Sequence, residues 1–283
     1  MFKVEDKVID LRDVLVEVNK KQNPFTTFLL SKTVKATAPV YNWIQTELAD
    51  SAVTLAEGGD APKYTKDGQA LKQNYLELWA NTATVSNTAQ YSSHHGISDL
   101  LAKEVDSKTK AIKRRIENKL IHGIGSYDAS TGTYHTSGIL EQIDADNKLT
   151  GAEFNDVEFE RAVEKLYDAG VSDNMVAFLP ASMKQKLVNS ATVVHLAREK
   201  FMGFDADIYS TVFGTITFVL TEEIGKGKMF IANPEYIEMP VLIPLHGQVE
   251  PVSGSKQSVY LETQAGIALL NEKAAVSFEI TEA

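Results

Sequence analysis

Catalysis in this chain would have to start from its six histidines, since imidazole changes charge near neutral pH and is the commonest metal ligand. His94 and His95 are adjacent, so on a helix or a strand their rings diverge and do not share one metal ion. His122, His135, His195 and His246 stand alone, which is the pattern of surface or satisfied core residues. Glu222 and Glu223 have the chemistry of a general acid and base, but adjacency does not make two carboxylates face one substrate. Gly123-Ile124-Gly125 has the spacing of a dinucleotide turn, yet it follows a helical stretch where a pyrophosphate site must precede one. There is no Gly-x-Ser-x-Gly elbow, no Gly-rich loop ending in Lys-Ser or Lys-Thr and no His-Glu-x-x-His pair. Cysteine is absent, which removes disulfides, thiol nucleophiles and sulfur-ligated metal. No catalytic, cofactor-binding or metal-binding residue is assigned, and the expectation is a protein that is not an enzyme.

The apolar spacing describes a frame without an obvious reaction centre. Val4, Val8, Leu11, Leu15 and Val18 recur at intervals of four and three, the stripe of an amphipathic N-terminal arm, although Val14, Val16 and Val18 also fit a strand. Asn23-Pro24 then opens a short helix carrying Phe25, Phe28 and Leu29. Val40 to Leu48, with Tyr41, Trp43 and Ile44, and Asn74 to Val85, with Tyr75, Leu76, Leu78 and Trp79, read as two strands able to pair as a long hairpin. Between them, Glu57-Gly58-Gly59-Asp60-Ala61-Pro62 and Lys66-Asp67-Gly68 are turn-forming and too polar to bury. Loops beyond about 12 to 15 residues are uncommon unless they have a task, so this one is read as reaching away from the body to make a contact.

Ser98-Asp99 starts the longest helix, with Leu101, Val105, Thr109, Ile112, Ile116 and Leu120 three or four apart and Gly123 placed to stop it. Over residues 98–122 it would span roughly 37 Å. Its other faces carry Lys103, Lys108, Lys110, Lys113, Arg114, Arg115 and Lys119. These form either a solvated face partly paired with Glu104, Asp106 and Glu117 or a basic contact surface for DNA or a partner. Gly123 to Gly138, rich in Gly, Ser and Thr, marks the clearest composition shift and the best candidate boundary. Beyond it, elements alternate. Asn155 and Glu158 have the form of a capping box for a helix with Phe159, Val163 and Leu166, closed by Gly170. Met175 to Leu179 is a short strand, Ser182 caps a helix running through Leu187, and Val212 to Leu220 and Lys228 to Ala232 are strand-like. The end is strands, with turns expected at Pro244-Leu245-His246-Gly247 and Ser253-Gly254-Ser255, finishing in Val259 to Leu270 and Ala275 to Ile280.

A chain of 283 residues can bury two modest cores, and 43% hydrophobic with 23% charged residues is an ordinary globular balance. No run approaches the ~18 apolar residues of a membrane span, and residues 1–10 lack a secretory apolar block. The formal charge of -10 disfavours a dedicated nucleic-acid binder.

The order arm, long loop, spine helix, α/β part and closing strands resembles the Hong Kong 97 fold. Short stretches strengthen the likeness: Asn23-Pro24-Phe25, Trp43 to Leu48 leading to Glu57-Gly58-Gly59-Asp60-Ala61, and Val85-Ser86-Asn87-Thr88, where Asn87 replaces the glycine of a common Val-Ser-Gly-Thr. Glu262-Thr263 and Leu269-Leu270-Asn271-Glu272-Lys273-Ala274 fit the closing strands. The chain is thus similar to the major capsid, or major head, proteins of tailed bacteriophages. The resemblance implies an α+β fold with an N-terminal arm at 1–39, an extended β-hairpin loop at 40–85, and a peripheral domain at 86–138 containing the spine at 98–122. It further implies an α/β axial domain at 139–240 and terminal peripheral strands at 241–283, the last free to return to the axial domain.

By the same likeness the subunit self-assembles through pentamers and hexamers into an icosahedral or prolate shell around double-stranded DNA, which it touches without sequence preference. A separate scaffolding protein, a portal and a decoration protein are the implied partners. The implied location is the virion capsid, built in the host bacterial cytoplasm, with no membrane and no cofactor. Candidate intersubunit contacts are Phe25, Trp43, Glu57, Gly58, Gly59, Asp60, Lys63, Lys66, Tyr75 and Trp79, the aromatics because they bring much contact area for little entropy lost. Lys63 and Lys66 lie in the loop, but no motif identifies a partner for an isopeptide link, and that chemistry is not carried over. A nanocompartment shell of the encapsulin kind is the alternative within the fold, and a small α/β hydrolase or ligand-binding protein the alternative outside it.

Overall fold

The computed structural model describes residues 23–48, 52–91, 99–188, 194–201, 204–251 and 254–281. The arm stripe over residues 4–18 and the His94-His95 pair lie outside the described residues.

Pro24 sets the backbone for helix α1 (Pro24–Leu30), but Asn23 supplies no side-chain cap. The free N–H groups at its start are met from far along the chain. Glu117 Oε1 accepts from Phe25 N at 3.0 Å, and its Oε2 accepts from Thr26 N at 2.5 Å and from the Thr26 hydroxyl at 2.6 Å. The chain continues through β1 (Thr33–Lys35), β2 (Val40–Glu47), β3 (Gly68–Tyr75), β4 (Glu77–Ser86) and the short α2 (Asn87–Tyr91). The spine α3 (Leu100–His122) follows, capped by Asp99 accepting from Ala102 N at 3.1 Å and closed at Gly123, whose N–H reaches Lys119 O at 2.8 Å. Its 23 residues give about 34 Å of rod, and Ile112, Ile116, Leu120 and Ile121 form its buried face.

Strands β5 (Ser126–Asp128) and β6 (Thr133–His135), helix α4 (Ile139–Gln142) and strand β7 (Lys148–Gly151) lead into α5 (Asp156–Asp168). Asn155 caps α5 by accepting from Glu158 N at 2.9 Å, and Gly170 takes φ +70 just past its end. Then come β8 (Met175–Leu179), α6 (Ala181–Val188), β9 (Val194–Phe201), β10 (Phe204–Thr211), β11 (Gly214–Leu220) and β12 (Lys228–Ala232). The chain ends through β13 (Ile237–Val249), β14 (Lys256–Ala265), β15 (Ala268–Leu269) and β16 (Ala275–Ile280).

Two sheets organise these elements. One has the order β1-β13-β14-β4, with β15 also on β13, and α3 packs over β4 and β14. The other has the order β7-β16-β12-β8-β11-β10-β9 and is mixed, with β8 parallel to β11 and β16 parallel to β7. Every residue of β8 is buried, as a central strand covered on both faces requires, while α5 turns Phe159, Ala162, Val163 and Leu166 inward. The two cores are distinct clusters. Phe25 belongs to the first, edge-on to Phe178 at 5.1 Å and to Phe230 at 5.2 Å. One end of the chain is thereby wedged against strands that come some 150 to 200 residues later.

Several expectations are corrected. The loop's second strand is not Asn74 to Val85. The chain breaks at fully buried Leu76, whose N–H donates to Pro39 O at 2.8 Å, so β3 pairs with β2 while β4 leaves to pair with β14. The hairpin therefore spans 40–75, and 77–86 is sheet. No turn forms at Pro244-Leu245-His246-Gly247. Pro244 has no N–H for the ladder, and β13 absorbs that loss as register shifts between Val241 and His246 while running straight on. Val259 to Leu270 is not one strand, because Gly266 interrupts it. There a Cβ would stand 2.8 Å from Leu76 Cδ2 and 3.0 Å from Tyr75 O. Ser182 is not a cap; α6 begins at Ala181, with Pro180 O accepting from Met183 N and Lys184 N. Val212 and Phe213 form a turn rather than the start of a strand. Within the 123–138 segment, Gly138 N donates to Gly123 O at 2.9 Å and closes the segment on the spine.

Candidate assembly surfaces

Strands β2 and β3 pair from Val40 with Tyr75 out to Glu47 with Gly68, and neither joins another sheet among the described residues. Ile44 stands directly opposite Leu71, and both are about two-thirds exposed, at 66% and 71%. Beyond them Leu48, Val53, Leu55 and Tyr64 are also more than half exposed. A hairpin of two strands is marginal alone in water, and an apolar cross-strand pair on it gains only its mutual contact until something covers it. The polar residues singled out from the sequence, Glu57, Gly58, Gly59, Asp60, Lys63 and Lys66, are all exposed in the connecting loop. Gly58 takes φ +77, and Gly59 N donates back to Ala56 O at 2.9 Å, which makes a local turn there.

One face of the hairpin is tied down, from its base at Tyr41 to the outer end of the paired strands at Glu47. The Tyr41 hydroxyl donates to Glu238 at 2.9 Å, Lys72 pairs with Glu272 at 2.6 Å, and Lys273 reaches Glu47 at 3.4 Å. Burial first, and then the Glu238 carboxylate that accepts its proton, push the Tyr41 phenol up to about 12. A raised phenol contributes stability fully present below its ordinary value near 10, lost as pH rises through about 12. Tyr41→Phe is expected to loosen the base by about 1 kcal/mol. Faster hydrogen exchange of the 40–47 amides, with β8 amides unchanged, is the check.

Asn74 does more than any aromatic here. Its Nδ2 donates to Ile267 O at 2.6 Å, Ser137 O at 2.9 Å and the Thr136 hydroxyl at 3.3 Å, while its Oδ1 accepts from Tyr75 N and Ser137 N. Beside it, buried Glu77 accepts from Thr136 N at 3.0 Å, with Lys119 Nζ at 3.7 Å. Gln142 completes the seam by donating to Ser137 O and Ile267 O and accepting from Leu269 N. Nothing in the sequence signals the roles of Asn74, Glu77 and Gln142, and Glu117, expected among the cations on the spine's solvated face, is instead fully buried against Phe25 and Thr26. The one available signal was Glu117, which shares a helix face with Leu120 and Ile121.

The aromatic candidates divide. Phe25 is fully buried and Trp79 is 5% exposed, so the chain's own core takes them up and leaves Phe25 no surface to offer a second subunit. Trp43 and Tyr75 are half-buried. Trp43 lies 6.2 Å from Tyr41, and Tyr75 opens a row with Tyr134 and Tyr127, at centroid spacings of 5.9 and 4.7 Å. His122 is bonded to Glu223 O and His246 lies near Glu262. Among the described residues no group of three or more His, Asp or Glu could hold a metal ion, and no helix is long and apolar enough to cross a membrane.

No curated protein matches the sequence. Among solved structures, the capsid of cyanophage A-1(L) superposes with a TM-score of 0.71 at 11% identity, covering 99% of this chain and 98% of that one. The capsid of cyanophage P-SCSP1u gives 0.68 at 8% identity, over 99% and 94%. The SrpI encapsulin of Synechococcus elongatus PCC 7942 gives 0.63 at 10% identity, over 95% and 92%, so the fold by itself is shared by phage capsids and an encapsulin. The sequence decides the family: the model for SU10 major capsid protein matches residues 2–281. This chain belongs to the SU10 major capsid protein family, has the Hong Kong 97 fold, and is a shell-forming structural subunit of a tailed phage.

Proposed function

We propose that the subunit closes the shell by laying its 40–75 hairpin over a neighbouring copy. The carrying observation is the Ile44 and Leu71 pair, exposed on strands whose base is held by Tyr41, Asn74 and Lys72. A rigid base and an uncovered apolar limb suit a contact made across a subunit boundary. Heterologous contacts of this kind close into rings, and rings of five and six tile a shell around double-stranded DNA. In this reading the sheet carrying α3 is the peripheral domain and the sheet carrying α5 is the axial domain around the ring axis. Glu57, Asp60, Lys63 and Lys66 serve as polar contacts at the rim, Tyr75 adds apolar surface on the face of Ile44 and Leu71, and Trp43 adds it on the opposite face. Assembly takes place in the bacterial cytoplasm on a separate scaffolding protein and around a portal, and a decoration protein binds the finished shell. The subunit has no enzymatic activity of its own.

Ile44→Asp and Leu71→Asp, made together in a chain whose residues 52–66 are also replaced with a short Gly-Ser turn, test the hairpin. The variant is expected to keep its circular dichroism and unfolding midpoint yet give only small oligomers by electron microscopy and sedimentation, while the parent gives closed particles with its scaffold. Closed particles from the shortened chain would refute the proposal.

A further inference from the structure

The spine helix carries an excess of cations with nothing to neutralise them. Lys110 pairs with Asp106 at 2.8 Å and Lys119 with Glu77, but Lys103, Lys108, Lys113, Arg114 and Arg115 have no ion-pair or hydrogen-bonding partner for their side chains among the described residues. Four of the five are exposed and Lys108 is half-buried. At 100° per residue, Lys103 and Arg114 fall on one side of the helix's outward face and Lys108 and Arg115 on the other. Exposed Ser107 and Ala111 lie between them. The rows run roughly 16 and 10 Å along the axis. Glu104, on the same face, is the acid among them, so the strip stays strongly positive in a chain whose formal charge is -10.

We infer that this face of α3 lines the inside of the shell and holds packaged duplex DNA by contacts to phosphate alone. This rests on the capsid reading and names the surface that reading leaves open. Long, unpaired Lys and Arg side chains on a convex rod fix no register and read no base edge, which is what sequence-independent phosphate contact needs. Phosphates recur every 3.4 Å of axis on each strand, so rows of this length always meet several, whatever the sequence. The acidic remainder of the subunit repels DNA and confines attraction to this strip. The genome is thereby held without being gripped.

The test uses the full chain carrying Lys103→Ala, Lys108→Ala, Arg114→Ala and Arg115→Ala together, substitutions that a helix accepts readily. Binding to a random-sequence 30-base-pair duplex is followed by fluorescence anisotropy between 50 and 200 mM salt. Four phosphate contacts predict that the parent weakens roughly 100-fold over that range, and that the variant binds at least tenfold more weakly at 50 mM with a nearly flat salt slope. A control with Lys186→Ala and Lys226→Ala should match the parent. Equal binding by parent and variant would overturn the inference. So would a parent that ignores DNA and binds a 20-residue poly-glutamate, since the strip would then serve an acidic protein partner. Particle formation, scored separately by electron microscopy, keeps a failure here distinct from a failure of the capsid reading.

Discussion

Glu117→Ala is expected to lower subunit stability by about 3 kcal/mol, measured as a shift in the urea midpoint at constant m. The side chain is fully buried, and its removal leaves the N–H groups of Phe25 and Thr26 and the Thr26 hydroxyl without an acceptor. Each such buried donor costs about 1 to 3 kcal/mol, partly offset because the carboxylate is itself expensive to bury. Glu117→Gln should be milder, keeping one acceptor oxygen but facing an NH2 toward a donor. Burial, helped by the nearby Glu223 charge, holds the Glu117 carboxyl above its ordinary value, and the bonds from Thr26 and Phe25 only partly oppose it. The contribution of a raised carboxyl is complete below the unfolded value near 4.3 and is lost as pH climbs through the folded one. The parent's advantage over Glu117→Gln should therefore be larger at pH 5 than at pH 8. The reverse trend would mean that the ionised form is the favoured one.

Asn74→Ala should cost a comparable 3 to 4 kcal/mol, because one amide serves three chain segments. Ser137 N loses its acceptor, and Ile267 O and Ser137 O lose a donor, in a position only 1% exposed. Asn74→Asp should be worse than its near-identical shape suggests, since an oxygen would then face the carbonyls of Ile267 and Ser137 at donor distance. Hydrogen exchange localises the damage. Amides of 68–75 and 136–139 should lose protection before those of β8 do. Uniform loss across both sheets would show that the seam is not a separable unit.

What the sequence revealed follows from what is local. The ends of α3 and α5 were legible because Asp99, Asn155, Gly123 and Gly170 act on their own neighbours, and β8 and β12 because short apolar runs between turns have few other uses. Pairing was less accessible. Whether Tyr75 or Trp79 belongs to the hairpin depends on Pro39 and Gly266, which lie 36 and 191 residues from Tyr75 and meet this turn only in the fold. Pro244 was misread for a related reason: the same residue that starts a turn in an isolated peptide is tolerated within a strand when a bulge takes up the missing bond. The exposed loop was identified from composition, but its polar tip drew attention from Ile44 and Leu71. The buried polar residues Asn74, Glu77 and Gln142 were invisible, since they look like any others until their partners are known.

The place of β16 in its sheet has a consequence for how the subunit folds. That strand sits between β7 and β12, so the edge strand β7 joins the rest of its sheet only through residues as late as Ile280. Helix α1 waits too, since Phe25 docks on rings supplied by Phe178 and Phe230. Such long-range closure is slow to form, so the rate at which a subunit folds is governed by how quickly distant segments find one another, not by how readily any single helix or hairpin appears.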